Sequence, residues 1–349
     1  MKYFKSFLIV FILILVIFSG WQFLSYDDFT YPDVNLINPI TAKEINQPIT
    51  TTLIAVGDIM PGRTVEMKIL KYNDWLYPFR ETYQITSTGD IVFANLESPL
   101  IEGTPTPNGS FVFRTDPQII DGLKYGGFNI VSLANNHIKN QGTNGIANTI
   151  NELDLANISH TGVGENIFKA STPAIMTVNN ISFGFLAYLD SSFVPGSYGA
   201  DDINSGSPFM NLTRLKTDIN QLKEKVDVVI ISMHAGTEYA DLPNQKQIEF
   251  AHTAIDNGAD LIIGHHPHVV QPIEYYNDGL ILYSLGNFIF DQMWSEETRE
   301  GAIAKITFEN TEIIDLELIP VKTFDYSQPQ ILGEEEGKSI LDRMSDFTF

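Results

Sequence analysis

After residue 50 the chain returns repeatedly to short, almost uninterrupted apolar runs: TTLIAVGD (51–58), IVFANLE (91–97), NIVSLAN (129–135), VDVVIISMHAG (226–236), ADLIIGHH (259–266) and GLILYSLGNFIFD (279–291). A strand that is apolar on both sides of its pleat must be covered on both faces. The cover is present in the same sequence. Segments of helical period lie between the runs: residues 143–157 with Ile146, Ile150 and Leu153 in phase, a second with Leu212, Leu215, Ile219 and Leu222, and a third with Ile248, Ala251 and Ile255. A hairpin over 174–190 turning at Asn179-Asn180, and closing strands over 301–321, complete the pattern. It predicts an α/β layered domain with at least one mixed sheet, beginning near Thr51 and running to residue 349.

Ahead of that domain, residues 6–26 form a charge-free run of 21 residues, enough to cross a hydrocarbon core of about 30 Å. Lys2 and Lys5 precede it and Asp27 and Asp28 follow, so the positive-inside rule puts the N-terminus in the cytoplasm and the rest outside. The expectation is an uncleaved membrane anchor over 1–26, a single-pass protein of the cell membrane with its C-terminal domain extracellular. A cleaved signal peptide is the rival reading, but the run is long for one and ends in bulky Trp21, Phe23 and Leu24. Residues 27–50, polar and dotted with Pro, read as a spacer.

With 21 Lys and Arg against 43 Asp and Glu, the chain carries a formal charge of −22. Nucleic acid is therefore excluded as a partner held by phosphate neutralisation. The absence of Cys removes disulfides, thiolate zinc sites and Cys nucleophiles. Any metal must be held by His, Asn and carboxylates.

In α/β folds ligands gather beyond the carboxyl ends of strands, and there the sequence reads Gly57-Asp58, Asn95-Leu96-Glu97, Asn135-Asn136-His137, His234-Ala235-Gly236 and Gly264-His265-His266-Pro267-His268. Five of seven His stand at such ends, whereas His160 reads as a loop residue and His252 as a surface or half-buried one. Taken singly, Asp58 also fits a turn or cap, Glu97 a solvated loop, Asn135-Asn136-His137 a turn, and His234 a core His. His266 and His268 are sharper, since i and i+2 of an extended segment project to one side and can grip one or two metals at about 2.1 Å. Asp90 is set aside as a ligand: it opens the strand that Glu97 closes, roughly 23 Å away at about 3.3 Å per residue.

In order along the chain, GDIMPGR (57–63), NLESPL (95–100), LANNH (133–137), HAGTEY (234–239), GADLIIGHHPHVVQ (258–271) and SLGNFIFD (284–291) resemble the landmarks of the CapA-type poly-γ-glutamate capsule synthesis proteins, a family similar to the calcineurin-like metallophosphoesterases. The resemblance covers about 52–330. It implies a layered sandwich of two mixed β-sheets flanked by helices, with a dinuclear centre at the strand ends. Carried over residue by residue, Asp58 and His268 would bind one metal, Glu97 would bridge, and Asn136, His234 and His266 would bind the second. His137 would be the catalytic group facing the substrate. Mn, Fe or Zn, one or two per chain, suit such oxygen and nitrogen donors.

Two positions depart from the family pattern. Met60 occupies the place of a His ligand in ordinary metallophosphoesterases, and Asn140 the place of an Asp that would steady His137. Arg63 and Arg114 are the cations expected to contact an anionic substrate; an ion pair is the other reading open to each. Two classes of function follow. One is an outward-facing hydrolase or transferase acting on a phosphoester, a γ-glutamyl or a cell-wall linkage. The other is a non-catalytic partner of a membrane synthase or export subunit that holds poly-γ-glutamate or another anionic polymer.

Overall fold

The computed structural model describes residues 49 to 345. The membrane-anchor expectation for 1–26 and nearly all of the 27–50 spacer lie outside those residues. Among the described residues no helix is long and apolar enough to cross a membrane.

Strands follow in the order β1 (Thr50–Ile59), β2 (Ile91–Leu96), β3 (Ile130–Ser132), β4 (Ser159–Thr161), β5 (Ala174–Val178), β6 (Ile181–Leu189) and β7 (Val228–His234). The second half adds β8 (Leu261–His265), β9 (Val270–Tyr276), β10 (Gly279–Leu285), β11 (Asn287–Ile289), β12 (Glu300–Glu309), β13 (Glu312–Phe324) and β14 (Gln328–Ile331). They assemble into two mixed sheets. The first has the order β14-β13-β12-β1-β2-β3-β4, with β11 added at the end of β1; the second has the order β5-β6-β7-β8-β10-β9. In each the central strands run parallel: β1 through β4 in the first, and β6, β7, β8 and β10 in the second.

Parallel strands need crossovers, and the helices supply them on the outer faces. Leu53, Phe93 and Ile130 of the first sheet meet Phe183, Phe185, Ile230 and Ile263 of the second in a core between the sheets. Helix Gly142–Ala156 buries Ile146 and Leu153 on the outside of the first sheet, against the opposite side chains of the same strands, Ile54, Val92 and Val131. Helices Leu212–Leu222 and Gln245–Asp256 do the same for the second, Leu215, Ile219, Ile248 and Ala251 packing on Val229, Ile231 and Ile262. This two-sided burial is what the unbroken apolar runs require. At about 25 cal/mol per Å² of apolar area, it is the main stabilising term of the fold.

The hairpin forms as read, β5 pairing antiparallel with β6 and Asn179 and Asn180 both left-handed at φ 52 and 66, the backbone a two-residue turn demands. Two expectations are corrected. Residues 279–291 are not one strand: the chain leaves β10 in the second sheet, turns at Gly286 (φ 69), and continues as β11 in the first. A Cβ on Gly57 would stand 1.9 Å from the Gly286 carbonyl, so only glycine at 57 lets this crossing lie against the end of β1. His160 sits in the short edge strand β4, not in a loop, with Nε2 3.1 Å from Asp154.

Candidate metal centre

Because the sheets stack with their parallel strands ending on the same side, residues remote in sequence converge there. From the first sheet come Asp58 at the end of β1, Asn95 and Glu97 at the end of β2, and Asn135 to His137 after β3. From the second come His234, His265, His266 and His268. Asp58, Glu97, His234, His265, His266 and His268 are all at most 2% exposed.

Asp58, Glu97 and His268 bring ligand-capable atoms within 4.8 Å of one another, as do Glu238, His266 and His268. Asn95 ties the first group together, its Nδ2 donating to Asp58 Oδ1 at 2.8 Å and reaching Glu97 Oε2 at 3.3 Å. Asn135 Nδ2 in turn donates to Asn95 Oδ1 at 3.1 Å. His265 Nδ1 lies 3.2 Å and His268 Nδ1 3.5 Å from Asp58. Beside them His234 Nε2 is 3.0 Å from Asn136 Oδ1, and the rings of His234 and His266 are 4.9 Å apart. Thus Asp58, Glu97, Asn136, His234, His266 and His268 converge at one end of the stacked sheets.

The electrostatics separate the two acids. Burial pushes Glu97 well above the usual carboxylate range, and the neighbouring Asp58 and Glu238 push the same way. For Asp58, burial acts upward but contact with His265 and His268 outweighs it and holds the group well below that range. Burial lowers His137 and His266 to about 3 and His234 well below its ordinary value, so these imidazoles are neutral nitrogen donors. Glu97 Oε1 and His266 Nδ1 are buried without a hydrogen-bond partner. Two adjacent buried carboxylates, one with an unpartnered oxygen, ringed by imidazoles, fit a divalent cation.

The geometry of the His-Pro-His segment differs from expectation. It is not extended: His266 and His268 have φ 98 and 59, and residues 266–269 form a bend. The two rings face one cleft because the backbone is left-handed at both, a conformation rare for residues with a Cβ and concentrated at functional sites.

His137 stands at the cleft edge, stacked on Phe113 at 3.7 Å, with Nε2 3.9 Å from Glu97 Oε1. Asn140 Oδ1 accepts the Phe113 N–H at 2.7 Å and faces His137 Nδ1 at 2.9 Å. An acceptor fixed there puts the proton on Nδ1, so the amide carbonyl does what a carboxylate would have done, without its charge. Met60 is fully buried in an apolar cluster with Phe113 and Phe290.

Arg63 and Arg114 are in ion pairs, buried ones. Arg63 pairs with Asp291 and donates to the Ser110 carbonyl at 2.9 Å, with Phe113 and Phe290 against its guanidinium. Arg114 pairs with Glu66. A guanidinium inside a fold needs such a carboxylate, which the sequence could not assign across 48 and 228 residues. Sequence reasoning also passed over Glu238, although it lies in the HAGTEY landmark, and Asn287, whose Oδ1 is 3.0 Å from His268 Nδ1. An acidic residue four positions beyond a strand-end His was the available signal for the first; nothing local marked the second.

Residues 52–292 match the family model described as bacterial capsule synthesis protein PGA_cap. The chain is 31% identical over 293 residues to the capsule biosynthesis protein CapA of Bacillus anthracis, covering 82% of this chain and 70% of that one. It is likewise 31% identical over 277 residues to the PGA biosynthesis protein CapA of Bacillus subtilis, covering 76% and 70%. A probable polyglutamine synthesis accessory protein of Mycobacterium tuberculosis is 26% identical over 293 residues, covering 77% and 76%. Among solved structures, the sulfate thiohydrolase SoxB of Thermus thermophilus aligns with TM-score 0.47 at 9% identity, over 91% of this chain and 61% of that one. A 5'-nucleotidase of Candida albicans aligns with TM-score 0.46 at 11% identity, over 79% and 52%.

Proposed function

The chain belongs to the bacterial capsule synthesis protein family and is of the CapA type, and from that premise we propose that it acts in the synthesis or export of poly-γ-glutamate, or another anionic surface polymer, through a divalent metal held at the strand ends. The observation that carries this reading is the buried Asp58 and Glu97 pair, with Glu97 Oε1 lacking any hydrogen-bond donor. Asp58, Glu97 and His268 would hold the metal, with Asn136, His234 and His266 alongside; Mn, Fe or Zn match these donors. When bound, the cation supplies charge that polarises a substrate oxygen and offsets the negative charge of a polyanion.

The chain's own residues do the rest. His137, held by Asn140 and by stacking on Phe113 with its proton on Nδ1, presents an unprotonated Nε2 to the cleft. That atom accepts a proton or hydrogen bond from a group brought beside Glu97. Arg63, paired with Asp291, adds positive potential that acts on both Glu97 and His137. The apolar run at 6–26 would anchor the protein in the cell membrane with its domain outside, next to the synthase or export subunits that handle the polymer.

The test compares cells carrying Glu97→Gln, His268→Ala or His137→Ala with cells lacking the gene, scoring surface polymer and protein level. Glu97→Gln and His268→Ala should match the deletion while the protein persists. His137→Ala should keep its metal and lose roughly 10² to 10⁴ in rate if the step is catalytic. Near-normal polymer with the metal-site variants would overturn the reading. Protease added to intact cells should digest the domain, and a mature N-terminus beginning after Gly20 would exclude the anchor.

A further inference from the structure

We infer that Glu238 is a metal ligand, forming with His266 a second cation position at the mouth of the cleft, beside the inner one that His268 serves. The inference rests on the reading of the cleft as a metal centre and extends it to a residue outside the ligand set carried over by resemblance.

Placement comes first. The loop after β7 turns at Gly236 (φ 122), where a Cβ would come within 2.8 Å of Gln247 Oε1. Tyr239 follows in the left-handed region at φ 64, which a bulky aromatic residue rarely adopts. Its N–H donates to the carbonyl of Pro267 at 2.8 Å, the residue between the two histidines. Gln271 Nε2 pins the far side of the loop, donating to the Ala240 carbonyl at 2.8 Å and the Leu242 carbonyl at 3.1 Å. Glu238 is therefore held against the His-Pro-His bend by backbone bonds on one side of it and side-chain bonds beyond. Strain at Tyr239, His266 and His268 together marks a constellation that the surrounding fold over-determines.

The donors come second. The ligand-capable atoms of Glu238, His266 and His268 lie within 4.8 Å of one another. Buried His266 has Nδ1 without a hydrogen-bond partner, and its ring is clamped by Phe193 stacked at 3.8 Å. A carboxylate and an imidazole, with water in the open positions, suit a first-row divalent ion such as Zn, Fe or Mn. Because the Glu238 carboxylate is exposed while Asp58 and Glu97 are buried, this position opens to solvent and exchanges its ion more readily than the inner one.

The experiment uses the full-length protein, stripped with chelator and titrated separately with Zn²⁺ and Mn²⁺ against a competing indicator, with equivalents counted by elemental analysis. Losing an outer partner of a ligand costs about tenfold to a hundredfold in affinity. Glu238→Gln, which removes the charge from an exposed residue, should weaken one equivalent by at least that and leave the other intact. Glu238→Asp should recover part of the loss, and Glu97→Gln should weaken the complementary equivalent. The metal-free melting temperature of Glu238→Gln should equal that of wild type. Unchanged number and affinity of equivalents in Glu238→Gln would overturn the assignment while leaving the inner site standing. A wild-type protein that takes up neither ion would instead overturn the metal reading of the whole cleft.

Discussion

The same parallel strands carry acidic and amide side chains at both ends, and the two ends treat them in opposite ways. At the amino ends four such residues each accept a backbone N–H from the neighbouring strand. Asp90 takes that of Thr52 at 2.8 Å, Asn129 that of Val92 at 2.9 Å, Asp227 that of Ser182 at 2.8 Å and Asp260 that of Val229 at 2.7 Å. At the carboxyl ends Glu97 is fully buried and one of its oxygens has no donor at all. The amino-end acids finish the hydrogen-bond ladder of the sheet; at the carboxyl ends Asp58 is met by Asn95 and the His266 N–H, but Glu97 is left with an unpartnered oxygen, and an unfinished account in a native fold calls for a ligand. Residue type does not separate the two classes. Hydrogen-bond bookkeeping does.

The largest effect that would break this contrast is on metal affinity. Glu97→Gln should lower Zn²⁺ or Mn²⁺ affinity by more than about a hundredfold, since on the proposed reading it removes a ligand and not merely an outer partner, while Asp90→Asn changes nothing. Equal binding by the two variants in the indicator titration would show that the ends do not differ in this way.

Next is stability at the cleft end itself. Asp291→Ala strands the buried Arg63 guanidinium and should cost about 3–5 kcal/mol in urea unfolding. Glu97→Gln in metal-free protein should cost far less, because the amide keeps an oxygen for Asn95 Nδ2 and Glu97 Oε1 has no bond to lose. A comparable loss in both would mean that Oε1 has a donor after all.

A smaller effect belongs to Asp260. Burial pushes it up from its ordinary 3.8 to about 6, with the Val229 N–H pulling the other way. A carboxyl raised on folding contributes stability that is fully present below pH 3.8 and is lost as the pH climbs through 6. Unfolding free energy should therefore fall across that window, by no more than about 3 kcal/mol, relative to Asp260→Asn, which keeps the acceptor for Val229 and cannot ionise. Parallel pH profiles would contradict this. Smallest of all, Asp90→Asn also keeps its acceptor, at an exposed site, and should leave the urea midpoint unchanged within about 0.5 kcal/mol.

Legibility in the sequence followed the range of the interaction. The alternation of strands and helices, the Asn179-Asn180 hairpin and the set of strand-end histidines were readable because a strand's period of two and a helix's of 3.6 are spelled out by neighbours in the chain. Asp90 could be set aside by length alone, and it does lie at the far end, accepting from Thr52. Reading the His-Pro-His residues as extended failed because the left-handed backbone at His266 and His268 is imposed by what packs on the bend, including the Tyr239 N–H on Pro267. Asn140, read as the loss of a carboxylate, keeps His137 oriented through its carbonyl, which only the Phe113 N–H behind it reveals.

By itself, then, the sequence determined which segments must be buried and which residue types the strands deliver to their ends. Which of those ends meet was decided by the stacking of two sheets, which brings Asp58 to the N–H of His266 across 208 residues of chain. Tertiary packing also decided which charges are neutralised inside the fold, as Arg63 and Arg114 are, and which oxygen is left without a partner, as Glu97 Oε1 is. The physical reason is that burial and pairing are properties of neighbours in space. An acid's sequence neighbours set its strand and its end, but whether it needs a cation depends on donors that only the packed structure brings, or fails to bring, within reach.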